Sequence, residues 1–130
     1  DKYAVQVVKH NYVPKHNKKF LGQTQTAYDK KNWSSVMLMN CKKCTQLTPD
    51  YVNKASGLEL HQFKWLESDD LIGSIDKTWN WLVGEYEYNP EAKNIHFTEG
   101  GPWFKDYENV DYAKEWFEYY FESGTVQIKK

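Results

Sequence analysis

The spacing of apolar residues changes several times along the chain, and each change marks an element. Residues 3–8, Tyr-Ala-Val-Gln-Val-Val, are β-rich and partly alternating, which predicts a strand. Pro14 closes its continuation as a central strand, and residues 20–28, polar and threonine-rich, read as an irregular connection. Residues 32–40, Asn-Trp-Ser-Ser-Val-Met-Leu-Met-Asn, contain an unbroken apolar run, the pattern of a strand covered on both faces. Thr48 and Pro49 supply an N-cap and a proline pre-set for the first helical position. Tyr51, Val52 and Ala55 then share one face, with Gly57 as the expected terminator. A second helix is predicted over 58–66, with Leu58, His61, Gln62 and Trp65 on one stripe. Residues 71–75 read as a short strand, and 86–90 as a turn into the strand that carries His96. Over 110–123, Val110, Ala113, Phe117, Tyr120 and Phe121 recur at helical spacing, between an Asn109 cap and a Gly124 stop. Tyr112, Trp116 and Tyr119 form a second aromatic stripe, read as packing, and 126–128 as a pairing end.

Composition narrows the classes. At 130 residues, one domain spanning 1–130 is expected, and 40% hydrophobic with 17% aromatic residues can supply its core. A formal charge of −1 argues against electrostatic binding to nucleic acid. No apolar run approaches the roughly 20 residues that span a bilayer, so no membrane span is expected, and Cys41 and Cys44 read as two reduced thiols fit a cytoplasmic setting. Asp1 stands where an initiator methionine would, which suggests a chain cut from a longer protein. Cys41 and Cys44 form Cys-Lys-Lys-Cys, too few ligands for a zinc site unless His10, His16 or His61 converges on them.

The stretch richest in candidate chemistry is Ile95-His96-Phe97-Thr98-Glu99-Gly100-Gly101-Pro102-Trp103. Two glycines leave main-chain N–H groups open to an anion, and the imidazole of His96 is a common metal ligand. The same residues also describe a strand leaving a sheet through a Gly-Gly-Pro turn, its histidine only hydrogen-bonded. Lys9, Lys15, Lys18 and Lys19, with His10 and His16 between them, make either a basic rim or a solvated loop. Glu67-Ser68-Asp69-Asp70 reads as a polar turn.

His96…Gly100-Gly101-Pro102-Trp103 resembles the C-terminal motif of family 8-type, GT-A-fold glycosyltransferases, although Gly101 stands where that motif carries lysine. Ser34-Ser35-Val36-Met37-Leu38-Met39-Asn40 resembles the family's small-residue strand, His61-Gln62 its Asp-Gln pair, and Trp79-Asn80 its Trp-Asn region. The resemblance covers roughly residues 3–110, with the motifs in order. It implies an α/β fold: a partial GT-A-like mixed sheet flanked by helices, lacking the nucleotide-binding half. It implies a parent enzyme moving a hexosyl group from a nucleotide-diphosphate sugar to a carbohydrate acceptor, the isolated piece being inactive. Under that reading His96 would ligate Mn²⁺ or Mg²⁺, and Gly100, Gly101 and Trp103 would meet the diphosphate. Trp33, Ser34, Ser35, His61, Gln62, Trp79 and Asn80 would line the sugar or acceptor pocket. A homodimer covering an exposed sheet edge is a further expectation. The surplus aromatics leave open a non-catalytic carbohydrate-binding or interaction module, and the cysteine pair a thiol-active protein.

Overall fold

A computed structural model describes residues 2–124. The architecture is mixed α/β: five short strands in two small sheets, and three helices. The strands are β1 (Val5–Val7), β2 (Leu38–Met39), β3 (Ile72–Ser74), β4 (Trp81–Val83) and β5 (Ile95–Phe97), and the helices α1 (Pro49–Lys54), α2 (Gly57–His61) and α3 (Ala113–Glu122). The first sheet has the order β2-β1-β3, with β2 antiparallel and β3 parallel to β1. In the second, β4 and β5 run parallel, Leu82 opposite His96. The expected mixed sheet is thus divided in two. Among the described residues no helix is long and apolar enough to cross a membrane.

The core gathers on β1. Ala4, Val5, Val7, Cys44, Phe63, Trp65 and Ile72 are buried together, with Leu47, Leu60 and Leu66 packed against them. Burying an aliphatic or aromatic side chain contributes about 1.5–3 kcal/mol, so this cluster is the main source of stability in the first sheet. The apolar run of 36–39 departs from expectation. Trp33–Ser35 is a 3-10 turn, and only Leu38 and Met39 are strand. β2 is an edge strand and its faces are not both covered: Leu38 is 61% and Met37 42% exposed.

The helix signals hold with shifted ends. Thr48 caps α1, its hydroxyl accepting from the Tyr51 N–H at 3.1 Å, with Pro49 at the first helical position. Gly57 does not terminate that helix but opens α2, because Ser56 caps it by accepting from the Glu59 N–H at 3.1 Å. α2 stops at His61, since Phe63 turns left-handed at φ 58° to enter the core. Gln62 is therefore at the C-terminal end of this helix, not at its start. The acidic stretch forms the expected polar turn (3-10 over Asp69–Leu71), and Asp69 lies 2.9 Å from the buried Lys30 ammonium. α3 starts after Tyr112, which adopts φ 63°, instead of after an Asn109 cap. The Tyr112 hydroxyl fixes this start by accepting from the Asn89 N–H and donating to the Asn89 carbonyl, both at 2.8 Å. Gly124, at φ 63°, follows the helix as the stop signal requires. The expected pairing end at 126–128 lies outside the described residues.

Candidate functional site

Strands β1, β3, β4 and β5 form two parallel pairs, and the segments leaving their carboxyl ends meet. His10, following β1, shares a 2.6 Å hydrogen bond through Nδ1 with the Tyr86 hydroxyl, following β4. The Lys15 N–H donates to Glu85 at 3.1 Å, and His16 Nδ1 lies 2.8 Å from Glu99, which follows β5. Lys77, following β3, holds its ammonium 3.7 Å from the Tyr86 ring centroid and 5.3 Å from that of Trp81. Parallel strands present their carboxyl ends at one edge, where α/β proteins place ligands.

That edge holds a cavity of about 320 Å³ whose lining includes Lys9, His10, Asn11, Ser74, Lys77 and Tyr86. Two lysines line it and no carboxylate does. His10 is 6% exposed, and its Nε2 has no hydrogen-bond partner among the described residues. Burial, reinforced by the nearby His96 and Lys77, lowers its pKa to about 4, so its imidazole is neutral at pH 7. Burial pushes the Tyr86 hydroxyl up to about 12, so it stays protonated. Burial and the Glu99 carboxylate also raise Glu85, partly offset by the Lys15 N–H it accepts.

A polar connection runs inward from this edge. Asn80 is wholly buried; its amide group donates to Ser35 Oγ at 2.7 Å and to the Asn32 carbonyl at 3.3 Å. Its Oδ1 therefore faces His96 Nδ1 at 3.2 Å, which requires the proton on that nitrogen. The Trp33 indole donates to the His10 carbonyl at 2.7 Å, and Tyr12 accepts from the Asn32 amide at 2.5 Å. The residues expected around a sugar are thus dispersed. Trp33, Ser35 and Asn80 belong to this connection, together with His96, the expected metal ligand. Ser34 and His61, 2.6 Å apart, face a separate cavity with Trp65. Gln62 contributes its carbonyl to Lys30 at 3.0 Å, and Trp79 is an exposed ring with Lys93 5.2 Å from its centroid.

The glycine bend is covered rather than bare. A methyl group at Gly100 would come within 2.8 Å of the Tyr107 ring, and one at Gly101 would overlap the Trp103 ring. Trp103 in turn lies 5.1 Å from Trp116, so the bend anchors α3. His96 is held through Nδ1 by Asn80, which leaves its Nε2 outside that bond, and among the described residues no group of three His, Cys, Asp or Glu side chains is placed to hold a metal ion. The resemblance assigned Mn²⁺ or Mg²⁺ one imidazole, whereas these ions favour several oxygen ligands. Cys41 is exposed and Cys44 buried; the Cys44 thiol donates to the Ala4 carbonyl and is pushed up by burial, the opposite of an activated thiolate.

The chain is 44% identical over 123 residues to Protein CDI of Arabidopsis thaliana, an alignment covering 89% of this chain and 47% of that protein. It therefore spans about half the length of the curated relative it matches. No protein-family model matches, and no solved structure does. The expected glycosyltransferase membership and hexosyl-transfer function are corrected by this: the similarity is to a protein whose name denotes no such enzyme. The resemblance had rested on short motifs, several of which serve packing here. Gly100-Gly101-Pro102-Trp103 seats an aromatic ring, and Trp79-Asn80 supplies a buried structural amide.

Sequence reading named His10 in the basic rim without its burial, and missed Lys77. The lysine-and-histidine run after β1 was visible, but nothing in it said that His10 turns inward while His16 stays at the surface. Lys77 carries no local pattern. Its role comes from β3 lying beside β1, a pairing across more than sixty residues.

Proposed function

We propose that this chain is a ligand-binding α/β module that takes a small anionic molecule at the carboxyl edge of β1 and β3. The observation supporting this is the cavity of about 320 Å³ to which Lys9 and Lys77 both contribute. The Tyr86 and Trp81 rings hold the Lys77 ammonium in place by cation–π attraction, which reduces the entropy lost when an anion binds. Neutral His10 and the hydroxyls of Ser74 and Tyr86 add hydrogen-bonding groups without opposing charge. A phosphate or carboxylate group suits this lining. A neutral apolar molecule would leave its polar groups without partners.

Titration calorimetry with inorganic pyrophosphate and with citrate, at low and at physiological salt, tests the reading. Saturable binding is expected to weaken with salt, as partly exposed charge pairs do. Lys77→Ala and Lys9→Ala should each reduce affinity about tenfold, a loss of about 1.4 kcal/mol. Absence of saturable binding, or binding unchanged in a folded Lys9→Ala/Lys77→Ala double variant, overturns it.

A further inference from the structure

We infer that the cavity beside Ser34 and His61 is a second binding site, specific for a neutral ring-sized molecule carrying a hydroxyl group. It is distinct from the carboxyl-edge cavity and does not depend on it. Its volume is about 200 Å³, and Ser34, Met37, Leu47, Leu60, His61 and Trp65 line it. Liquid water occupies about 30 Å³ per molecule, so the space corresponds to about seven waters, enough for one ring. The walls are a thioether, two leucines and an indole, and no lysine, arginine, aspartate or glutamate lines them. A charged ligand would lose its hydration there without a counter-charge.

The polar groups are confined to one pair at the cavity's solvent-exposed mouth. Ser34 Oγ and His61 Nδ1 share a 2.6 Å hydrogen bond. Both positions come from ends of elements, Ser34 from the Trp33–Ser35 turn and His61 from the last residue of α2. The turn is anchored from behind by Asn80, which donates to Ser35 Oγ at 2.7 Å. The floor is anchored by the Trp65 indole, which donates to the Leu60 carbonyl at 3.3 Å. An apolar chamber with one hydrogen-bonding pair is the pattern of small-molecule sites, where apolar walls give affinity and a few polar atoms fix orientation. Serine offers a donor and an acceptor, as does imidazole between its two nitrogens. A ligand hydroxyl also does both, so it can enter between the two residues, donate to one and accept from the other, and leave no group unpaired. A hydrocarbon leaves that bond as it is and gains no hydrogen bond of its own, and a carboxylate can only accept.

The test is a heteronuclear NMR titration of the ¹⁵N-labelled chain with benzyl alcohol, toluene and benzoate, following the Trp65 indole N–H. Benzyl alcohol should give saturable shifts at Trp65 and at the Ser34 and His61 amides, with a Kd of about a millimolar as suits so small a ligand. Toluene and benzoate should bind about fivefold more weakly, the effect of one hydrogen bond lost or mismatched. Ser34→Ala and His61→Ala should each erase the preference for the alcohol. Met37→Trp, at an exposed rim position, should block all three ligands while leaving distant resonances unmoved. Shifts that do not saturate, an alcohol preference that survives both single variants, or unchanged binding in Met37→Trp would each overturn the proposal. The wild-type ligand series decides the matter if a variant fails to fold.

Discussion

Around β1 the interior is dry, whereas around β4 and β5 it is wired with hydrogen bonds. Val5, Val7, Phe63 and Ile72 pack with almost no polar atoms among them. Across the molecule, Leu82 and Val83 are equally buried, but Asn80, His10, Glu85 and Glu99 are buried beside them. Apolar packing is indifferent to pH and tolerant of chemistry; buried polar groups stabilise only while their partners and protonation states are right. The first region is therefore the platform, and the second, at the carboxyl edge, is the part whose stability depends on protonation.

The largest effect should come from the dry side. Phe63 is 1% exposed, and Phe63→Ala is expected to destabilise by about 3–5 kcal/mol through lost transfer energy and the cavity left behind. Urea denaturation at pH 7 and again at pH 5 measures it. The cost should be the same at both, because no side chain of the cluster that holds Phe63 titrates between pH 5 and pH 7. A cost that changed by more than about 1 kcal/mol with pH would mean the two regions are energetically continuous, and the division drawn above would fail.

This division explains how much the sequence disclosed. The platform announced itself locally: Tyr-Ala-Val-Gln-Val-Val alternates, and Thr48-Pro49 caps. Those signals depend on neighbours within one turn or one strand, so they survive without tertiary knowledge. Element ends were less legible because they are set by distant contacts. α2 stops where Phe63 enters the core, and α3 starts where the Tyr112 hydroxyl grips Asn89. The Val-Met-Leu-Met run suggested a covered strand, but composition cannot report whether another layer packs on each face, and Met37 and Leu38 are exposed. The candidate site was least legible of all. Gly100 and Gly101 looked bare in sequence because the rings that cover them belong to Tyr107 and Trp103, brought in by the turn itself. Ser34 and His61 were each singled out, yet only the approach of α2 to the Trp33–Ser35 turn makes them a pair.

The next largest effect belongs to the wired side and is carried by acid. His10 titrates at about 4 in the folded chain, against 6.5 when free. The unfolded chain therefore takes up the proton first, and the stability tied to neutral His10 is complete above pH 6.5 and falls away between there and about pH 4. The loss over that window should be about 2–3 kcal/mol. His96, also lowered by burial, acts in the same direction. Denaturation midpoints of wild type and His10→Gln, followed from pH 7 to pH 4, isolate the contribution, since carboxylate titrations are common to both. The wild-type curve should fall more steeply. Parallel curves would show that His10 is not held neutral by its surroundings.

The smallest effect has the opposite sign and comes from the same edge. His16 is exposed, and its hydrogen bond to Glu99, together with that carboxylate's charge, raises its pKa above the free value. The folded chain now holds the proton more tightly, so this pair stabilises below the free histidine value and loses its effect as pH rises through the raised one. Thermal melts of wild type and His16→Ala should differ more at pH 6 than at pH 8. The gap should shrink further in high salt, because screening acts on an exposed ion pair. Two histidines six residues apart in the same segment would then oppose each other with pH, one because it is buried beside cations, the other because it meets a carboxylate at the surface. A gap that widened toward pH 8 would mean that the His16–Glu99 contact is a neutral hydrogen bond, leaving the buried histidines alone to make this edge sensitive to protons.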